Sequence, residues 1–203
     1  MFYPKARQPG STVIELIVAC FLLGLLLASL FLVYRMVAGA WYKTSAQSEM
    51  LGRLQVISGR FESELEQSNS HSVSISADHH AISFLSAIKD GVFVTDLEGR
   101  TRWQSYVIYY YLPSNREIYR REVPLSLGDP EVESPGPIED FGPEDSIDSY
   151  LSDGRSVMKD VTNAEFSVGT KGLAAFDVST EKKRYGREEP ETGNLSTTVY
   201  MRN

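Results

Sequence analysis

Residues 16 to 34 of this 203-residue chain form 19 consecutive positions without a charge, dominated by Leu, Val, Phe and Ala. About 20 apolar residues in a helix span the hydrocarbon of a bilayer, and lipid accepts no other short backbone form because every peptide group must be satisfied internally. The apolar run opens at Val13 and reaches Val33, with one charged residue inside it, Glu15. No other charge lies between Arg7 and Arg35. A carboxylate in a membrane helix costs roughly 2.5–3.5 kcal/mol at the bilayer centre and less near an end. Glu15 is therefore a candidate functional residue that needs a partner.

A cleaved secretory signal is the competing reading. Its apolar region spans roughly 7–15 residues and ends at a small-residue site. The run here is longer, and Arg35 stands before the small residues Ala38-Gly39-Ala40. Residues 11–35 are accordingly read as a retained transmembrane helix. The N-terminal side, residues 1–10, is expected to stay cytoplasmic, with Lys5 and Arg7 as its positive-inside signal. Arg35 and Lys43 lie on the far side, but a long C-terminal domain translocates largely regardless of charge.

Past Arg35 the pattern turns amphipathic. Leu51, Leu54, Ile57, Phe61 and Leu65 recur at steps of three or four, with Arg53, Arg60, Glu62, Glu64 and Glu66 between them. No proline occurs from Ser11 to Pro113, so the helix is predicted to continue through residues 36–68, a rod roughly 80 Å long in all. Residues 69–203 are predicted to form an extracytoplasmic β-rich domain, long enough for a single core. Val73-Ser74-Ile75, Ala81 to Leu85, Val92 to Val94, Trp103 to Leu112 and Glu117 to Val123 read as strands of an antiparallel meander laid on the helix. Residues 126–153, rich in Pro, Gly and acids, read as a long surface loop. Leu173 to Thr180 and Leu195 to Met201 read as strands, and Glu181 to Thr192 as an exposed hairpin loop. The fold class is α+β.

Net charge is −7, and loss of Lys5 and Arg7 with a leader leaves 18 basic against 27 acidic side chains, a net of −9. An acidic exported domain argues against nucleic acid as its main partner. The only cysteine, Cys20, lies in the apolar helix, where it reads as a small hydrophobe filling a helix–helix contact. No cofactor is expected and no enzyme is read. Phosphate loops, dinucleotide fingerprints and Gly-x-Ser-x-Gly elbows are absent from the sequence. His79 and His80, adjacent and without a third ligand at zinc spacing, read as a solvated turn. Asp140, Glu144, Asp145, Asp148 and Asp153 are oxygen donors of the kind calcium takes, but their spacing does not match an EF-hand, and they read as a solvated acidic loop. Tyr109, Tyr110 and Tyr111 read as core and sheet surface.

The segment Gly10-Ser11-Thr12-Val13-Ile14-Glu15-Leu16, with Lys5 and Arg7 before it and Ile17 to Val33 after it, resembles the N-terminus of type IV pilins and of type II secretion pseudopilins. The resemblance implies cleavage by a prepilin peptidase between Gly10 and Ser11, possible N-methylation of Ser11, and an assembly role for Glu15, the fifth mature residue. The family usually begins its mature chain with Phe, where this chain has Ser11. More loosely, the Ile82-Ser83-Phe84 strand, the Trp103-to-Tyr111 strand, the Val161-to-Phe166 segment and the Thr197-to-Asn203 ending look like J-type minor pseudopilins or W-type minor pilins. That implies a pilin-like fold and a single-pass protein of the bacterial inner membrane, cytoplasmic at its N-terminus. It would join other pilins or pseudopilins through the helix, near the tip of a secretion pseudopilus or pilus, and help initiate assembly. The alternative is a membrane-anchored binding module, an adhesin or substrate receptor outside any filament.

Overall fold

The computed structural model describes residues 12–89, 91–125, 136–142, 144–169, 172–182 and 190–201. Met1–Ser45 and Ala46–Asn203 are two separate units. The first contains the start of α1, a 54-residue helix over Val13–Glu66. From Val13 to Val33 its side chains are exposed all round, as expected of a helix whose solvent is lipid rather than protein. This helix is long and apolar enough to cross a membrane.

In the second unit α1 acquires a buried side. Met50, Leu54, Ile57, Phe61 and Leu65 are enclosed there. Their steps of four, three, four and four keep one stripe over four turns. Leu51, expected on this stripe, is 52 % exposed, and Met50 takes the place. The stripe centres one position earlier than the leucine spacing implies, which turns Leu51 toward its flank.

Among the described residues ten strands follow, all paired antiparallel: β1 Ser74–Ile75, β2 Ala81–Ser86, β3 Ile88–Lys89, β4 Val92–Phe93, β5 Ser105–Leu112, β6 Glu117–Pro124, β7 Arg155–Met158, β8 Val161–Val168, β9 Leu173–Lys182 and β10 Glu191–Tyr200. They make a five-stranded sheet in the order β1-β2-β5-β6-β7, a three-stranded sheet β10-β9-β8 and the small hairpin β3-β4. The expected meander is present as β1-β2-β5-β6 in the five-stranded sheet, except that Val92–Phe93 leaves it for the separate β3-β4 hairpin. Both larger sheets contribute to one core against α1, with Phe84, Tyr109, Phe166, Phe176 and Val199 around Phe61 and its helical neighbours.

The five-stranded sheet is buried on both faces. Tyr109 and Tyr111 point to the α1 side, while Tyr106, Ile108 and Tyr110 point to the other. That second face is covered from within the stretch expected to be a surface loop. The described part of it folds into a short helix, α2, over Ile138–Phe141 and a 3-10 turn over Ile147–Tyr150. Ile138, Ile147 and Tyr150 are buried against the sheet. The reason is local: these apolar residues are spaced among prolines and acids, so each inserts singly from an otherwise polar segment. Strands β9 and β10 extend to Lys182 and from Glu191, into the stretch expected to be an exposed hairpin loop.

Candidate functional site

The residues singled out for processing, Gly10 and Ser11, lie outside the described residues. Glu15 is described and sits in the first turn of α1. Its Oε2 accepts a hydrogen bond from the Thr12 backbone N–H at 2.8 Å, and its own N–H donates to Thr12 Oγ1 at 3.4 Å. This reciprocal pair is a capping box, which satisfies two of the amide groups a helix start leaves without intrahelical acceptors. A carboxylate here also faces the positive end of the helix dipole. The signal was in the sequence as Thr12-Val13-Ile14-Glu15, a Thr-x-x-Glu pattern before an apolar run. Among the described residues no cation pairs with Glu15, and its side chain is exposed. Farther along, Ser29 Oγ donates to the Leu26 carbonyl at 2.8 Å, so this hydroxyl adds no unsatisfied polar group to the apolar face. Cys20 is exposed on the helix.

A second charged centre lies where α1 meets the five-stranded sheet, and the sequence reading did not find it. Glu64 falls on the buried side between Phe61 and Leu65, with its side chain 10 % exposed. Its Oε2 accepts from Tyr109 Oη at 2.8 Å and from Arg120 Nε at 3.0 Å, and its Oε1 from Arg60 Nε at 2.9 Å. Arg120 is 13 % exposed and also pairs with Glu122 at 2.6 Å. Burial pushes the Tyr109 hydroxyl far above its usual range, reinforced by the Glu64 carboxylate. Tyr109 is therefore a neutral donor, and the cluster is a satisfied helix-to-sheet clamp rather than a reactive set. A spacing signal existed: Glu64 is three residues from Phe61 and one before Leu65, which places it on the apolar stripe.

The other candidates are structural. The turn at His79 and His80, between β1 and β2, is exposed at His79 as expected and also docks on β8. The Phe166 N–H donates to the His79 carbonyl at 2.8 Å, and His80 Nδ1 lies 2.9 Å from the Ala164 carbonyl. Tyr110 stacks on Tyr119 and accepts from the Gly154 N–H, while Tyr111 donates to the Thr162 carbonyl at 2.9 Å. A Cβ at Gly154 would come within 2.6 Å of Tyr110 Oη, so the close approach requires glycine there. Among the described residues no three His, Cys, Asp or Glu side chains gather as a metal site, the acids from Asp140 to Asp153 included.

No family model matches the chain, and neither the curated proteins nor the solved structures yield a match. The chain therefore stands on its own geometry: an α+β protein with one long apolar N-terminal helix, able to cross a membrane, and antiparallel sheets.

Proposed function

We propose that this chain is a minor pilin or pseudopilin subunit. A prepilin peptidase cuts it between Gly10 and Ser11, and the helix then carries it from the bacterial inner membrane into a pilus or a type II secretion pseudopilus. The observation that carries the reading is Glu15, a carboxylate on an exposed apolar helix whose only described hydrogen-bond partner is its own capping residue. A cap uses the hydrogen-bonding geometry of that side chain and leaves its charge without a counter-ion. In a bundle of such helices, water is excluded and an unpaired carboxylate is strongly disfavoured. The free amine of Ser11, created by cleavage, supplies the cation from a neighbouring subunit. Processing is thereby coupled to assembly, and the pair sets axial register.

The capping box makes the test sharp. Glu15→Gln retains an acceptor for the Thr12 N–H and removes the charge, whereas Glu15→Leu removes both. With cleavage confirmed by mass, the reading expects both variants to lose incorporation into filaments assembled with partner subunits. Normal incorporation of Glu15→Gln, with Glu15→Leu defective, would reduce Glu15 to a helix cap. Absence of the unaltered chain from those filaments would favour the anchored binding module instead.

A further inference from the structure

Strand β10 is a long open edge. It pairs with β9 through ten residues in unbroken register, from Glu191 opposite Lys182 to Tyr200 opposite Leu173. Among the described residues no strand pairs with its other side. Exposed edges normally carry lysine, proline, a bulge or a covering segment, because a row of unpaired N–H and C=O groups recruits strands. β10 reads Glu-Thr-Gly-Asn-Leu-Ser-Thr-Thr-Val-Tyr and has no Lys, Arg, Pro or register shift.

The remaining edges of the two larger sheets are managed. β1 has two residues. β7 has four, and its register against β6 shifts between Ile118 and Tyr119. β8 carries a shift between Val161 and Asn163, and its outer groups are taken: Phe166 N–H by the His79 carbonyl, Val161 N–H by the Arg116 carbonyl at 2.9 Å. Among the described residues, an edge left open beside edges that are closed is a candidate recognition feature.

The surface beside this edge selects the chemistry of what binds. On the outward face Glu165 lies directly opposite Asp177, and Asp177 directly opposite Ser196 of β10. Both carboxylates are exposed, and among the described residues neither has an ion pair. Like charges directly opposed across strands repel, so the pair calls for a cation. A residue added opposite Ser196 would stand two strand spacings, about 10 Å, from Asp177. A lysine or arginine there reaches back over the small Ser196. At the Tyr200 end, Glu66, Gln67, Phe93 and Tyr200 line a cleft of about 610 Å³. The Gln67 Oε1 is buried and has no partner among the described residues. Acceptors and aromatic rings at that end fit the same kind of ligand.

We propose that β10 docks an extended strand of another protein by β-addition, and that this strand carries Lys or Arg on its outward row. A second copy of the chain is the poorer occupant. The outward row of β10, from Thr192 through Ser196 to Tyr200, offers no cation to the acid pair. Nothing at this edge depends on cleavage after Gly10 or on Glu15.

The test uses the full chain in neutral detergent and a labelled ten-residue peptide of alternating Val and Lys. A twin N-methylated along its whole backbone keeps the charge and cannot pair. Binding should saturate at one peptide per chain, with amide exchange slowed in residues 191–200. Because main-chain hydrogen bonds give strand addition its affinity, the N-methylated twin should bind at least about tenfold more weakly. Two rim charges are worth little each, so Glu165→Gln with Asp177→Asn, both exposed, should weaken the Val-Lys peptide about fivefold. Equal binding of the twin, protection elsewhere, or an unaffected double variant would overturn the proposal. So would protection of residues 191–200 by dimerisation without peptide, which would give the edge to a second copy.

Discussion

Replacing Arg120 by Met removes one guanidinium from the Glu64 clamp and keeps most of the side-chain volume. The carboxylate it leaves is 10 % exposed. Breaking a buried pair from one side costs about 3–5 kcal/mol, because the surviving charge stays desolvated. Glu64 keeps the Tyr109 hydroxyl and the half-exposed Arg60, which places the cost at the low end, about 3 kcal/mol. For a domain of this size that is a fall in Tm of about 6–12 °C. Near-UV circular dichroism of the full chain in detergent follows the buried aromatic core, the exposed Phe21, Phe31 and Tyr34 of the membrane helix serving as a constant background. A second substitution separates charge from packing. Adding Glu64→Gln removes the stranded charge and keeps an acceptor for Tyr109, so the double variant should regain about 1–2 kcal/mol over Arg120→Met alone. A change below about 0.5 kcal/mol for Arg120→Met, the range of an ordinary surface site, would refute the clamp. Strictly additive effects of the two substitutions would refute the coupling.

Phe61→Ala should cost about 3–5 kcal/mol, since the ring meets Phe84, Tyr109, Phe166 and Phe176 at centroid separations of 5.1–6.1 Å and the void cannot close from both sheets at once; denaturant titration checks this. Alkaline pH should unfold the domain cooperatively. Burial raises Tyr106, Tyr109, Tyr110, Tyr111 and Tyr150 above their ordinary values. Their contribution is complete below the unfolded value near 10 and is lost as pH rises through the folded values, because the unfolded chain releases those protons first. Phenolate absorbance and loss of near-UV dichroism should therefore appear together; ionisation of all the tyrosines near pH 10 with the fold intact would contradict this.

The parts legible in the sequence were those with a long, uninterrupted period. The apolar run announced the helix, and Trp103 to Leu112 announced β5, because aromatic and β-branched residues crowd there. What stayed hidden depended on contacts between distant segments. Glu64 looks like one more surface acid until Arg120 and Tyr109, 56 and 45 residues away, converge on it. Ile138, Ile147 and Tyr150 are single apolar residues in a polar stretch, a pattern with no period to read, and only the apolar second face of β5 that they cover explains their burial. The division into two sheets was likewise invisible, since the short turn around Asp160 (φ 62°) between β7 and β8 gives no sign that the chain changes sheet. At the candidate site the capping box was readable from Thr12 and Glu15, whereas its meaning rests on what the charge meets after assembly.

The central claim is that Gly10 precedes a processed N-terminus that Glu15 answers. The most direct measurement is the intact mass of the membrane-extracted chain, expressed with and without a prepilin peptidase. The account predicts a mature chain that begins at Ser11 only when the peptidase is present, with or without one added methyl group. A chain that still begins at Met1, under conditions where a known substrate is cut, would contradict it and leave the helix an ordinary membrane anchor.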